Sequence, residues 1–283
     1  MTGPLVAFRL GPLTVYWYGI IIVTAALVGG YIASLEARRR GEDEDHIWNM
    51  LVIVILLGIV GARLYHVFSS PQGGDLGWAY YRDHPEAIFQ IWNGGLGIYG
   101  AVAGGVLGVV IYTYRTKLNL LRYLDIGAPA LLVGQAIGRW GNLLNQELYG
   151  PPTTLPWGIT IDEFHRIPPF NDLALYPLGT RFHPVFLYES LWNLIGLVLL
   201  IFMSRKWSAR LKEGDVFLGY LIWYPVGRLW VEALRPDAWK IGGIPTAQIV
   251  SAVLIVLAVV VLVLRHRTLS APVAGEPVAD APA

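Results

Sequence analysis

Residues 134–150, Gly-Gln-Ala-Ile-Gly-Arg-Trp-Gly-Asn-Leu-Leu-Asn-Gln-Glu-Leu-Tyr-Gly, gather the side chains of this chain best suited to chemistry. An apolar run from Ala128 to Ile137 ends there and delivers Arg139, Asn142, Asn145, Gln146 and Glu147 between Gly134, Gly138, Gly141 and Gly150. An arginine at the edge of a hydrophobic segment, followed by amides three residues apart, suits an anion held where hydrocarbon meets water. Charge beside hydrocarbon is costly and marks a functional site by default. A guanidinium also grips phosphate through two donors at once, which an ammonium does less well.

The elements that must position these residues are membrane helices. The 283 residues are 55% hydrophobic and 14% charged, against roughly 25% charged in soluble domains. Several apolar runs reach the roughly 20 residues that cross a bilayer. The expected fold is an all-α polytopic membrane protein with about seven transmembrane helices: Thr14–Leu35, Ile47–Phe68, Gly94–Tyr114, Leu121–Gly138, Pro184–Met203, Val216–Leu234 and Ile244–Leu264. Pro129 and Pro225 make the fourth and sixth the weakest. Residues 139–183 form an outside loop between spans four and five, and its Trp157, Phe164, Phe170, Tyr176 and Phe182 argue for a small folded or interfacial cap. One transmembrane domain, 1–267, carries the chemistry, and 268–283 reads as a disordered cytoplasmic tail. The N-terminus has no basic start or small-residue cleavage site, so the first segment is expected to stay in the membrane.

Orientation follows from loop lysines and arginines. One side collects twelve: Arg38, Arg39, Arg40, Arg115, Lys117, Arg122, Arg205, Lys206, Arg210, Lys212, Arg265 and Arg267. The other has seven, Arg9, Arg82, Arg139, Arg166, Arg181, Arg235 and Lys240, spread over longer segments. The twelve are read as cytoplasmic, which puts the N-terminus outside and the C-terminus inside. Absent residue types narrow the chemistry. There is no cysteine, which excludes disulfides, thiolate metal sites and a cysteine nucleophile from this chain. The six histidines show no ligand spacing, so no metal is expected. No basic cluster resembles a nucleic-acid footprint.

With this topology, Tyr18, Arg63, His66, Tyr99, Arg139, His183, Glu189, Arg228 and Glu232 all fall in the outer half of the membrane. Each has a plainer reading. Arg228 and Glu232, four apart on one helix, can pair with each other, and Arg139 can snorkel to the interface. Arg63 can be packed, His66 and His183 interfacial, Tyr18 part of an aromatic belt, and Asn142 and Asn145 turn residues. The close-spaced glycines of span three, Gly97, Gly100, Gly104, Gly105 and Gly108 with Ala101, read first as small-residue helix packing. Together, however, two arginines with carboxylates and amides on one side describe a one-sided site. The competing class is a transporter or channel for an anionic solute. It would scatter polar groups through the full depth and favours an inverted repeat. A membrane scaffold without chemistry would have no use for the cluster.

The stretch Gly138-Arg139-Trp140-Gly141-Asn142-Leu143-Leu144-Asn145-Gln146-Glu147-Leu148-Tyr149-Gly150 resembles the Gly-Arg-x-Gly-Asn-x-x-Asn-x-Glu-x-x-Gly signature of the prolipoprotein diacylglyceryl transferases. The resemblance extends over about residues 13–265, through Trp17-Tyr18-Gly19, Gly61-x-Arg63, Asp125-x-x-Ala128-Pro129, His183-Pro184 with Leu187-Tyr188-Glu189, and Tyr224, Arg228, Glu232 and Arg235-Pro236-Asp237. It implies a seven-span inner-membrane enzyme without cofactor or metal. Such an enzyme moves the diacylglyceryl group of phosphatidylglycerol onto the lipobox cysteine thiol of a pre-lipoprotein, with membrane lipids as its surroundings, and releases glycerol phosphate. The resemblance implies catalytic roles for Arg139, Arg228, Tyr99, Tyr18, Glu147 and Glu232. It implies substrate binding by Arg139, Asn142, Asn145, Gly150, Arg63, Tyr224 and His183.

One position departs from the family. Where many members carry His in Gly-Gly-x-x-x-His-Gly, this chain has Gly94-Gly95-Leu96-Gly97-Ile98-Tyr99-Gly100. A tyrosine, with a reference pKa of about 10, is a poor base at neutral pH. The expectation is that fixed positive charge from Arg139 and Arg228 favours the substrate's thiolate instead, while Tyr99 orients the lipid headgroup.

Overall fold

The computed structural model describes residues 5–11, 13–69 and 77–267; the expected tail, 268–283, lies outside them. The chain begins with a hairpin, β1 (Val6–Leu10) and β2 (Leu13–Tyr16). It then alternates α1 (Trp17–Arg39), α2 (Asp45–Phe68), the short α3 (Trp78–Asp83) and α4 (Ile98–Thr116). Next come α5 (Leu120–Gly138), α6 (Trp140–Leu144), α7 (Val185–Lys206), α8 (Asp215–Ala233) and α9 (Thr246–Arg267). Two minimal hairpins complete the described residues: β3 (Ile159–Thr160) with β4 (Arg181–Phe182), and β5 (Lys240–Ile241) with β6 (Ile244–Pro245).

Six of the helical segments are long and apolar enough to cross a membrane, α5 and α6 counting as one, Leu120–Leu144. Their outward faces expose Val23, Leu27, Val52, Leu56, Val102, Val106 and Val198, and α9 shows apolar side chains nearly all round. Surface of that kind is stable against lipid rather than water. The chain is an all-α polytopic membrane protein. α8 matches the expected sixth span in position but is not among the six, and it carries Arg228 and Glu232 within its length. It packs against α5, α7 and α9 all the same. Pro129 and Pro225 are buried inside continuous helices; neighbouring helices compensate for the missing backbone donor.

Several boundaries differ from the expected ones, and three of the shifted starts have a local cause. Thr14–Tyr16 belongs to β2, not to the first span, because Thr14 and Val15 pair across to Arg9 and Phe8. The third span starts at Ile98, not Gly94, since Gly94 and Gly95 adopt φ of 84° and 74°, outside helical geometry. The last starts at Thr246, after the turn through Gly242 and Gly243. The glycine stripe does pack helices. A Cβ at Gly104 would fall on the Leu57 carbonyl oxygen, and one at Gly100 on that of Gly61, so α2 and α4 cross almost backbone to backbone.

The expectation that buried polar groups lie at one end only is overturned. Glu36, Asp125, Ser204 and Asp215 are buried at the opposite end of the bundle from Arg139. Loop α7–α8 and the end of α9 cover that end: Lys212 donates its backbone N–H to Asp215, and His266 lies 2.8 Å from the same carboxylate. Hydropathy along the chain cannot show which ends are roofed. Asp125 also explains how α8 begins. Its N-cap, Gly214, has no side chain, and the Asp125 carboxylate accepts from Gly214 N at 2.8 Å and Phe217 N at 2.9 Å. An α5 residue thereby caps α8, supplying acceptors to orphan donors that its own cap cannot satisfy.

Candidate active site

α5 runs through a turn at Arg139, whose own backbone stays helical, directly into α6. The signature therefore adds a turn of helix at the membrane edge and brings Arg139 against α7 and α8. There Glu189, 5% exposed on α7, lies between two guanidiniums. Its Oε2 is 2.5 Å from Arg139 Nη2, and its Oε1 accepts from Arg228 Nη1 at 2.9 Å. Arg228 also donates to Glu232, one turn along α8. Arg235 Nη1 reaches Glu232 at 3.5 Å, and its Nη2 pairs with Asp237 at 3.0 Å. The result is an alternating line, Arg139, Glu189, Arg228, Glu232, Arg235, Asp237. Among the described residues Arg139 has one ion pair, to Glu189, and that contact lacks hydrogen-bond geometry at Glu189 Oε2. Most of its five donors make no hydrogen bond among the described residues.

The line is held by a reciprocal tryptophan pair. Trp192 on α7 and Trp223 on α8 stack with centroids 4.3 Å apart, and each indole N–H donates to the other residue's backbone carbonyl at 3.0 Å. Each ring lies over a glycine of the opposite helix. A Cβ at Gly196 would meet Trp223, and one at Gly227 would meet Trp192. Glu189 and Arg228 flank this joint. A cavity of about 10 Å³ beside it is lined by Glu189, Asn193, Tyr224 and Arg228, with the two indole-bearing helices closing the rest; that is room for about one water. Arg139 does not line it. The two arginines share the Glu189 carboxylate.

A second group sits on α6 and the turn that follows it. Glu147 is exposed and its Oε1 accepts from Asn142 Nδ2 at 2.9 Å and Asn145 Nδ2 at 3.3 Å. Tyr18 of α1 lies against Gly141, where a Cβ would be 2.5 Å from its ring, and is near enough to feel the charges of Glu147 and Arg139. Gln146 and Leu148 take positive φ, 51° and 56°. That bend lets Gln146 donate to Asp162 at 2.9 Å and accept from the Asp162 N–H at 2.8 Å. The loop beyond is folded as expected, on Tyr149, Ile161, Phe170 and Phe182. Burial pushes the Tyr149 phenol up. Arg166, over the Phe182 ring, donates to four carbonyls, those of Ile161, Tyr176, Pro177 and Leu178. Phe170, Tyr176 and Phe182 belong to this core, whereas Trp157 and Phe164 stay exposed. Gly150 sits under His183: a Cβ there would lie 2.9 Å from the His183 Cβ and 3.2 Å from the Leu234 carbonyl oxygen. His183 Nδ1 is 2.9 Å from the Tyr188 hydroxyl.

Of the residues singled out from sequence, Arg139, Arg228 and Glu232 meet through Glu189. Asn142, Asn145 and Glu147 meet at the end of α6 with Tyr18 close by. Tyr224 lines the small cavity. Arg63 and Tyr99 belong to the α2–α4 pair. Arg63 is buried, and its guanidinium is spent on backbone: Ile88 O at 2.8 Å, Gly94 O at 2.8 Å, Gly95 O at 3.0 Å and Ala87 O. Tyr99 is 60% exposed against Tyr65. No hydrogen bond or ion pair among the described residues joins either one to the arginine line. The sequence places Glu189, Arg235 and Asp237 in family-like motifs, but the expected site residues leave all three out. The signal for Glu189 was there: a lone carboxylate inside an apolar span needs a cationic partner.

Comparison with known proteins gives the same direction. A family profile described as "Prolipoprotein diacylglyceryl transferase" matches residues 5–264. A protein of Chloroflexus aggregans named phosphatidylglycerol–prolipoprotein diacylglyceryl transferase is 43% identical, over 94% of this chain and 89% of its own length. Proteins of the same name from Halalkalibacterium halodurans and Streptococcus equi subsp. zooepidemicus are 44% and 40% identical. The first alignment covers 89% of this chain and 82% of the relative, the second 93% and 95%.

Proposed function

Because this chain belongs to the prolipoprotein diacylglyceryl transferase family, we propose that it transfers the diacylglyceryl group of phosphatidylglycerol to the lipobox cysteine of a pre-lipoprotein. In this reaction the cysteine sulfur attacks the diacylglyceryl carbon that carries the phosphate oxygen. A carbon–sulfur bond forms, the carbon–oxygen bond breaks, and the electron pair leaves on glycerol phosphate. The phosphate gains a negative charge as the bond breaks, so cations fixed beside it bind the transition state more tightly than the substrate.

The observation that carries this reading is Arg139: a guanidinium held by one carboxylate, with donors left over, at the end of an apolar helix. Its free edge takes the phosphate. Arg228, tied to Glu189 and Glu232, adds charge behind it, and both lower the cost of the thiolate. Asn142 and Asn145 hold Glu147, which with Glu232 remains a candidate to take the thiol proton. Arg63 acts indirectly, by fixing the 87–95 segment that leads into Tyr99. His183 and Gly150 join the folded cap to the top of α7, where the peptide passes.

On this reading α8 is a seventh crossing, the twelve-cation side faces the cytoplasm of a bacterial inner membrane, and the Arg139 end faces the outer leaflet. The positive charge concentrated at one end supports that orientation. Purified protein incubated with phosphatidylglycerol and a lipobox peptide should release glycerol phosphate only when the peptide carries its cysteine, as read by thin-layer separation. Absence of release, with anionic solute entering vesicles that contain the protein, would replace the transferase by a transporter.

A further inference from the structure

We propose a phosphate-type anion site at the end of the bundle remote from Arg139, in the cleft between the C-terminal ends of α1 and α7 and the start of α8. The cleft has a volume of about 190 Å³ and is lined by Arg39, Arg40, Asp125, Ser204, Lys212 and Glu213, among others. That is space for more than the single water of the upper cavity. Two guanidiniums converge here on one neutral oxygen. Arg39 Nη2 donates to Ser204 Oγ at 2.6 Å and Arg40 Nη2 to the same atom at 3.2 Å. The buried Arg40 Nε has no hydrogen-bond partner. Each guanidinium has a carboxylate on one side, Glu36 at 2.8 Å from Arg39 and Asp125 at 3.5 Å from Arg40, yet where the two meet they share only a neutral hydroxyl and repel each other.

The neighbouring carboxylates have partners besides these two arginines. Asp125 accepts the two backbone N–H groups of α8 and is 3.5 Å from Arg40 Nη1. Glu213 is taken by Asn119 and Arg122. Glu36 is shared between Arg39 and Arg205. Lys212, whose Nζ meets the Arg265 carbonyl, adds a third cation to the lining. Tetrahedral oxyanions match convergent guanidiniums, and basic clefts between transmembrane helices take phospholipid headgroups. Phe202 and Trp207, exposed, edge to face and flanking Ser204 along the chain, offer acyl chains an apolar surface. The shared chemistry is a phosphate anion, carried by a bilayer lipid or free in solution. The site is separate from the transfer reaction, so its failure leaves that reading intact.

The test uses the full chain in neutral detergent, carrying Arg139→Gln to weaken the upper anion grip, with thermal unfolding as the readout. The probes are dihexanoyl phosphatidylglycerol, dihexanoyl phosphatidylcholine and inorganic phosphate. The anionic lipid near ten times its Kd should raise Tm by roughly 3–5 °C. Adding Arg40→Gln should abolish the shift. Lys212→Gln, which leaves Asp125 its arginine and so guards against simple misfolding, should at least halve it. A shift from inorganic phosphate as well assigns the site to the free anion; a shift from the anionic lipid alone assigns it to the headgroup. An equal response to phosphatidylcholine, no response to either anion, or a response that survives both added substitutions overturns the site.

Discussion

At one end of the bundle Glu189 is held by the side chains of Arg139 and Arg228; at the other Asp125 is held by two backbone N–H groups of α8, with Arg40 only at 3.5 Å. Both carboxylates are buried, and both would be costly to leave without partners. The difference lies in what can let go. Backbone donors at a helix start cannot move without unwinding the helix, so Asp125 is part of the architecture. Guanidiniums on long side chains can turn from one anion to another, so on the proposed reading Glu189 holds its arginines in place while leaving donors for a phosphate. One carboxylate fixes a helix; the other keeps a charge ready.

Arg139→Lys attacks that contrast where the effect is largest. An ammonium lacks the forked donors, so transfer activity should fall at least ~100-fold, the scale of losing a transition-state donor. Membrane insertion and Tm should change little; near-normal transfer would remove phosphate gripping from the account. Glu189→Gln comes next. With one charge gone between two arginines, activity should drop tens-fold and Tm should fall, since a broken buried pair costs about 3 kcal/mol. If transfer survives undiminished, the arginines do not depend on Glu189 for their positions.

Asp125→Ala should invert the pattern. Loss of the α8 cap and of the Arg40 partner should cost about 2 kcal/mol, seen as a lower Tm, while turnover per folded molecule stays within about twofold, well under the ~100-fold scale of the active end. A selective loss of turnover at unchanged Tm would mean the two ends are coupled. Tyr99→His is the smallest effect. Tyr99 is exposed and apart from the arginine line, so turnover should change by no more than about threefold, since general-base catalysis, worth about 10²–10⁴-fold where it operates, is not its task here. A large gain with a lower pH optimum would instead show that a base at this position governs the rate.

Much of this was legible in the chain itself. Runs of apolar residues place the helices to within a few residues, because a bilayer demands length and hydropathy from each segment separately. The signature from Gly138 to Gly150 exposed Arg139, Asn142, Asn145 and Glu147 by local spacing alone. The glycines of α4 announced a close helix crossing, and Gly61, Gly100 and Gly104 make it. Where local geometry overrode hydropathy, as at Thr14–Tyr16 and Gly94, the expected boundaries slipped, since strand pairing and positive φ leave no trace in a polarity count.

Only the folded arrangement decided the partners. Composition cannot show that Glu189, fifty residues along the chain from Arg139, stands between Arg139 and Arg228, or that Asp125 caps a helix that begins ninety residues later. Nor can it show that Arg63, a candidate for substrate, is consumed by four carbonyls, or that the remote end hides carboxylates of its own. Helix formation and membrane insertion are settled by neighbours along the sequence, and the sequence therefore reveals them. The pairing of buried charges is settled by which helices lie side by side, and that is a property of the packed bundle alone.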